Sequence, residues 1–229
     1  MNLALFDLDN TLLSGDTDVE WLDFLIEAGR LDEPMRGENL EMDRRYRSGE
    51  ADALEYVRFY LRFYARFTIA ALIEHRDVFL RKRIEPRILP AARRLLQSHR
   101  QDLVAIITAT NRFLTEPIAG LLGVEHLIAT EPQIADGRFT GDIVGPPCMR
   151  EGKVDRLEGW LGSRRVSLSS FDESWFYSDS VNDLPLLERV THPVAVDPDA
   201  ILKRTARERG WRVITLREAP SARGGPSPT

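Results

Sequence analysis

Residues 3–13 read LALFDLDNTLL: a short apolar run from Leu3 to Phe6 stops abruptly at Asp7, and a second acid, Asp9, follows two residues on. Four apolar residues in a row, without polar alternation, describe a strand buried on both faces, as in a parallel sheet, whose C-terminal end presents the acids. Crowding two carboxylates at a strand end is expensive unless a cation or a chemical task compensates. One could attack phosphorus to give an acyl phosphate. The other, its proton retained near neutrality by its neighbour, could protonate a departing alkoxide. Two solvated turn aspartates would give the same short motif, so the pair alone leaves both readings open.

Outward from this stretch the pattern changes twice. From Thr17 to about Arg83 apolar residues recur at helical spacing (Trp21, Phe24, Leu25; Leu54, Val57, Leu61; Leu72, Phe79), interrupted by turn signals at Gly29, Pro34 and Gly49. That predicts an all-helical insert. After Pro86 and Pro90, strands expected at 103–108, 125–129, 175–178, 193–196 and 212–216 alternate with helices near 90–100, 111–121, 152–162 and 198–209. Such alternation predicts an α/β fold with a doubly wound parallel sheet. The β-formers flanking Asp136-Gly137 add a hairpin beside it. The expected division is a core of residues 1–15 and 86–218, a helical cap of 16–85, and a flexible tail of 219–229 with too little apolar content to fold.

Composition narrows the function classes. The 229 residues are 43% hydrophobic and 29% charged with a net charge of −5, and no long run of one sign occurs, which argues against a nucleic-acid surface or a polybasic membrane patch. Cys148 is the only cysteine and there are four histidines, too few for a disulfide or a Cys/His zinc site. Acids appear too early for a signal peptide, and no stretch of eighteen apolar residues spans a membrane. The expected partner is a small soluble molecule and the expected location the reducing cytoplasm; oligomeric state is not legible.

Three further segments lie at predicted strand ends or helix starts, where open α/β sheets bind ligands. Ile106-Ile107-Thr108-Ala109-Thr110-Asn111 runs from strand into hydroxyls and a helix start, suited to a phosphoryl oxygen or to an ordinary cap by Thr110 or Asn111. Gly152-Lys153-Val154 offers a compact positive charge in a chain with only three lysines among 31 basic residues, although a lone lysine is commonly a solvent-facing one. Ser178-Asp179-Ser180-Val181-Asn182-Asp183 brings two acids and an amide, either a helix-capping loop or, with Asp7, an oxygen-only site for a hard cation. Four such segments in one chain order favour the chemical reading.

Together these segments resemble the four motifs of the haloacid-dehalogenase-like superfamily, over nearly the whole chain from Asp7 to Asp183, and the helical insert is similar to the cap of its phosphoserine-phosphatase-like branch. The resemblance implies a Rossmann-like core and a magnesium-dependent phosphomonoesterase working through a phosphoaspartate. Asp7 would be nucleophile and magnesium ligand. Asp9 would be general acid and base, giving its main-chain carbonyl to the metal. Thr108 and the Ala109 amide would bind phosphate, Lys153 would hold phosphate and nucleophile, Asp179 would complete the metal site, and Asn182 and Asp183 would support phosphate and metal waters. Aspartate rather than threonine at position 9 favours a phosphatase over the ATPase branch.

Selectivity is expected from the cap and the loop Ser14 to Asp18. Asp16, nine residues after Asp7, stands where the phosphoserine phosphatases carry a glutamate for the substrate ammonium, with Asp18 nearby. Arg58 is a candidate for a substrate carboxylate or a plain surface arginine. The runs DNTLLSGD, IITATNRFLTEPIA, DGRFTG and FYSDSVNDLPLLE resemble more closely the bacterial subgroup that includes histidinol-phosphatases. Histidinol phosphate is therefore ranked first and phosphoserine second. Trp21, Phe59, Tyr60, Phe63 and Tyr64 could stack on an imidazole or form cap core. A phosphotransferase or mutase and a non-catalytic phosphoester sensor are the rivals from other classes.

Overall fold

The computed structural model describes residues 1–217; the expected tail at 219–229 and the last core residue, 218, lie outside them. Among the described residues seven strands form one sheet, β1 (Leu3–Phe6), β2 (Leu103–Asn111), β3 (His126–Ala135), β4 (Arg138–Val144), β5 (Ser174–Ser178), β6 (His192–Val196) and β7 (Arg212–Ile214), in the order β4-β3-β2-β1-β5-β6-β7. Only β3 and β4 pair antiparallel; the rest is parallel. β1 is central, Phe6 lying beside Ile106 on one side and Tyr177 on the other. The chain order reverses around it, which opens a crevice past its C-terminal end.

Because side chains alternate along a strand, Ala4 and Phe6 enter one core and Leu3 and Leu5 the other. The first core takes in α5 (Pro90–Ser98), α6 (Arg112–Leu122) and the helical segment below. The second takes in α7 (Glu151–Ser163), α8 (Leu184–Leu187) and α9 (Ala200–Glu208). All four residues of β1 are fully buried, as its unbroken apolar run requires. No helix among the described residues is long and apolar enough to cross a membrane.

Between β1 and β2 the chain forms α1 (Thr17–Glu27), α2 (Met35–Ser48), α3 (Ala53–Leu61) and α4 (Ile69–Phe79). Their starts follow local capping chemistry: Asp16, Asp52 and Thr68 accept from the backbone N–H groups of Val19, Glu55 and Ala71. Trp21, Phe59, Tyr60, Phe63 and Tyr64 are all buried in this segment. Its two connections to the sheet run side by side. Leu13 bridges Ile88, the Ser14 N–H donates to the Arg87 carbonyl at 2.9 Å, and the Leu89 N–H donates to that of Leu12 at 3.2 Å. α3 packs on β4, where Arg58 makes a two-point ion pair with Asp142 at 2.8 and 3.0 Å.

The hairpin turns at Asp136 (φ 48°) and Gly137 (φ 71°), the paired positive φ of a tight two-residue turn. It is continuous with the sheet rather than laid beside it, because β3 runs unbroken through Pro132. Proline cannot donate to a ladder, and the register shifts between Pro132 and Ile134 to accommodate it. β2 likewise runs past the expected end at 108 to Asn111, with a register shift.

Candidate active site

The acids, Thr108, Ala109, Lys153 and Asn182 expected from the four motifs, together with Asp16, line one cavity of about 600 Å³ beyond the C-terminal ends of β1, β2 and β5. Asp7 and Asp9 follow β1, Thr108 and Ala109 lie near the end of β2, which runs on to Asn111, Asp179, Asn182 and Asp183 follow β5, Lys153 comes from the first turn of α7, and Asp16 from the N-terminus of α1. The facing wall is built by α2 and α3, with Asp43, Tyr46, Arg47 and Tyr56.

Lys153 is 2% exposed and is the charge on which the inner end of the cavity is built. Its Nζ donates to Asp7 Oδ1 at 2.9 Å and to Asp183 Oδ2 at 2.8 Å. Burial disfavours the ammonium, but the Asp183 and Asp7 carboxylates outweigh it and hold its pKa above the ordinary lysine value. Asp183 is held in turn by the Ser178 hydroxyl at 2.6 Å. The lysine reaches the site because Gly152 lets the preceding turn close: a Cβ there would lie 2.1 Å from the Pro147 carbonyl oxygen.

Burial pushes the Asp7 carboxyl up to about 6, with Lys153 pulling the other way and Asp183 adding to the rise. Burial and then repulsion by Asp16 push Asp9 up to about 7. Asp9 is held at both oxygens: Oδ1 accepts from the Thr17 N–H at 2.8 Å and from the Thr17 hydroxyl, and Oδ2 accepts from the Thr110 hydroxyl at 2.7 Å. With two donors already on Oδ1, a proton on Asp9 belongs on Oδ2, where the Thr110 hydroxyl can turn to accept it. Near neutrality Asp9 is therefore divided between acid and base.

Asp179 is raised to about 8, by burial and then by Asp7 and Asp183, and it accepts from the Thr11 hydroxyl at 3.2 Å. Among the described residues no three His, Cys, Asp or Glu side chains converge tightly enough to hold a metal by themselves. A hard cation such as magnesium needs fewer, since it keeps several waters and takes one or two carboxylates plus substrate phosphate. Asp7 and Asp179, with the main-chain carbonyl of Asp9, fit that donor set. The fit rests on charge: Asp7, Asp9, Asp179 and Asp183 share the cavity with Lys153 as the one lysine and the one buried cation lining it.

At the outer end Asp16, Asp18 and Asp43 line a second acidic region. Burial raises Asp16 and, with repulsion from Asp16 and Asp9, raises Asp18 well above the usual carboxylate range. Asp18 accepts from Asn111 Nδ2 at 3.3 Å. Arg58 does not reach the cavity; Asp142 takes its guanidinium on the outer surface. Arg47 does line it, paired to Asp43 at 2.8 Å. Of the two readings of Trp21, Phe59, Tyr60, Phe63 and Tyr64, the structure supports cap core, since all five are buried and none lines the cavity, whereas Tyr46 and Tyr56 do line it. Thr17, Thr110, Asp43, Tyr46 and Arg150 were not assigned to the site from the sequence, and only Thr110 carried a signal, read there as a possible cap. Asn111 is the cap, accepting from the Leu114 N–H.

The sequence model of the haloacid dehalogenase-like hydrolases matches residues 4–188. A histidinol-phosphatase of Neisseria meningitidis is 41% identical over 94% of this chain and 99% of its own length. The phosphoserine phosphatase SerB1 of Mycobacterium tuberculosis is 30% identical over 96% of this chain and 72% of its own length. A crystal structure of a Bordetella pertussis protein of unknown function superposes with a TM-score of 0.91 at 46% identity, covering 94% of this chain and 99% of that one.

Proposed function

The chain belongs to the haloacid dehalogenase-like hydrolase family and is a phosphoric monoester hydrolase, and from that premise we propose that it hydrolyses a small amine-bearing phosphoester, histidinol phosphate first among them, with magnesium and through a phosphoaspartate on Asp7. The observation that carries the reading is the buried Lys153 bridging Asp7 and Asp183, with Asp9 raised to about 7 in the same cavity.

In this reading Asp7 attacks phosphorus through its oxygen not engaged by Lys153, and the ester O–P bond breaks. Asp9 delivers the Oδ2 proton to the leaving alkoxide, then takes a proton from the water that cleaves the acyl phosphate, regenerating Asp7 and releasing inorganic phosphate. Thr108, the Ala109 N–H, Lys153 and Asn182 hold the phosphoryl oxygens. Magnesium, general to this family, would be held by Asp7, Asp179 and the Asp9 carbonyl with Asp183 behind it, and would neutralise charge on the phosphate. Residues 16–85 act as a cap over a core of 1–15 and 86–218, excluding bulk water. The lone cysteine is buried and its thiol pushed up to about 12 by burial, which suits a cytoplasmic enzyme with no thiol chemistry.

Asp16 and Asp18, acids of the outer wall that no basic side chain pairs among the described residues, support a cationic substrate. Histidinol phosphate offers an ammonium and an imidazole and needs no carboxylate partner, consistent with Arg47 being paired to Asp43 and Arg58 to Asp142. Phosphoserine is the second reading, favoured by the presence of Arg47 in the cavity wall. Parallel assays with magnesium on histidinol phosphate, phosphoserine and an aryl phosphate, reading inorganic phosphate, decide between them. Transfer to added alcohols in place of phosphate release would mark a phosphotransferase, and binding without turnover a sensor.

Asp16→Asn keeps the helix cap, since asparagine caps as well as aspartate, but removes the charge. It is expected to raise KM for histidinol phosphate by about 10- to 100-fold, the range for one charged hydrogen bond, and to change the aryl phosphate KM by less than about twofold. Equal effects on both substrates would place Asp16 outside amine recognition.

The acids also set a pH dependence. Asp7, Asp9 and Asp179 stand at about 6, 7 and 8 in the folded protein against an ordinary 3.8. A folded pKa raised above the unfolded one gives stability that is complete below about 4 and is lost as pH rises through the folded values. Chelated protein is thus expected to melt progressively lower from pH 5 to pH 8.5, and magnesium to raise the midpoint more at pH 8 than at pH 5. A flat profile without metal, or equal gains at both pH values, would count against a cation among these acids.

A further inference from the structure

Three buried polar side-chain atoms have no hydrogen-bond partner among the described residues: Trp21 Nε1, Arg76 Nε and Tyr46 Oη. Of these residues only Tyr46 lines the cavity. Its ring is 5% exposed, so the free hydroxyl forgoes water without gaining a protein partner, a loss native proteins rarely tolerate away from functional sites. Burial pushes the phenol up, while Arg150 pulls it back both by its charge and by the approach of its guanidinium to the hydroxyl, and Asp183 and Lys153 are the next charges it feels. The hydroxyl is therefore a neutral donor at the phosphate end of the cavity, delivered there by α2.

Arg150 meets it from the other side. The guanidinium carbon lies 4.8 Å from the centre of the Tyr46 ring, and Nε donates to Asn182 Oδ1 at 3.2 Å. Among the described residues neither Nη nitrogen has a protein acceptor, although Arg150 lines the cavity. The backbone of Arg150 sits at φ 50° and ψ −126°, a conformation that favours glycine and is costly for a long side chain. Of the other non-glycine residues at positive φ, Asn10, Asp136 and Asp197 belong to the types that tolerate it, and Arg165 is the one further exception. A side chain kept at such a position, one turn before Lys153 and with both Nη groups free of a hydrogen-bond acceptor among the described residues, marks a site that uses it.

We propose that Arg150 and Tyr46 form a second half of the phosphoryl site, the guanidinium and the phenolic hydroxyl both donating to non-bridging oxygens of a phosphate monoester dianion opposite Thr108 and Lys153. The inference rests on the phosphatase reading and deepens it. Its consequence is that α2 must be docked for the donor set to be complete, so phosphate binding and closure of the helical segment are one equilibrium.

The test uses the full chain with magnesium, titrated calorimetrically with inorganic phosphate and assayed on p-nitrophenyl phosphate. Arg150→Gly, which suits the positive φ, is expected to weaken inorganic phosphate by about 10- to 100-fold, as for a charge-assisted bond, with an unchanged or higher Tm. Tyr46→Phe is expected to weaken it by about 3- to 10-fold, the worth of one neutral hydrogen bond, again without loss of Tm. In the double variant the two losses should not add, because they share one phosphoryl group. Arg150→Lys should recover part of the affinity by restoring the charge without the fork. Phosphate affinities within twofold of the parent in both single variants overturn the proposal. So does a KM increase for the aryl ester with phosphate affinity unchanged, which would put Arg150 on the leaving group instead. A parent protein that neither binds phosphate nor releases it from any ester would defeat the phosphatase reading itself, a result distinguishable from either.

Discussion

Asp7→Asn is expected to lose turnover by on the order of 10⁴-fold or more with every phosphoester, since removing a covalent nucleophile removes the pathway and not one stabilising contact. An amide cannot form the acyl phosphate. The loss should come without unfolding. The Asp7 carboxyl is raised to about 6, chiefly by burial, so its ionised form at pH 7.5 is a net strain on the metal-free fold, and a neutral amide of the same shape relieves it. Lys153 keeps Asp183 as its partner at 2.7 Å. The check is a phosphate-release assay beside a thermal melt of the chelated protein: inactive with Tm unchanged or higher is the expected pair. Turnover within tenfold of the parent would remove Asp7 from the nucleophile's place, and inactivity with a large fall in Tm would reduce it to a structural acid.

Asp9→Asn should be slower by a factor of about 10² to 10⁴ on alkyl phosphates, the usual contribution of general acid–base catalysis. The deficit should divide unequally between substrates. A nitrophenolate leaves without a proton, so formation of the phosphoaspartate from an aryl phosphate is largely spared, whereas its hydrolysis still needs Asp9 to take a proton from water. A burst of nitrophenolate of about one equivalent per enzyme, then a slow steady state, is the expected trace. Absence of the burst with equally slow turnover of alkyl and aryl esters would mean that Asp9 organises the loop without moving a proton. The Thr17 and Thr110 bonds to Asp9 make that alternative a real one to exclude.

What was legible beforehand follows from what local physics determines. The apolar run of β1 and the Asp136-Gly137 turn are local signals, and acids at strand ends locate a site because a parallel sheet presents them together; the caps at Asp16, Asp52 and Thr68 are equally local but were not read as such. The unbroken β3 was hidden by Pro132, a residue that ordinarily ends pairing and is accommodated here by a register shift. Arg58 could not be placed because its partner, Asp142, is fixed only by the docking of α3 on β4. The aromatic residues of the insert were legible as core by their spacing, yet nothing in that spacing distinguishes Tyr46 and Tyr56, which reach the cavity, from Tyr60 and Tyr64, which do not. Arg150 was invisible for a related reason: its φ is set by the turn that Gly152 closes, and its value to the site depends on a helix about a hundred residues earlier.

The paired connections at Leu13 and Ile88 carry a consequence for how such chains diversify. With the two ends of the inserted segment hydrogen-bonded to each other at the sheet, the entropy of closing a long loop is met locally, whatever hangs beyond the junction. A graft of residues 16–85 from a relative would therefore meet a preformed socket. On the proposed function the reaction chemistry would sit on one side of that socket and most of the substrate wall on the other, so recombination at these two points would exchange molecular preference as a single cassette while the proposed catalytic acids stay where they are.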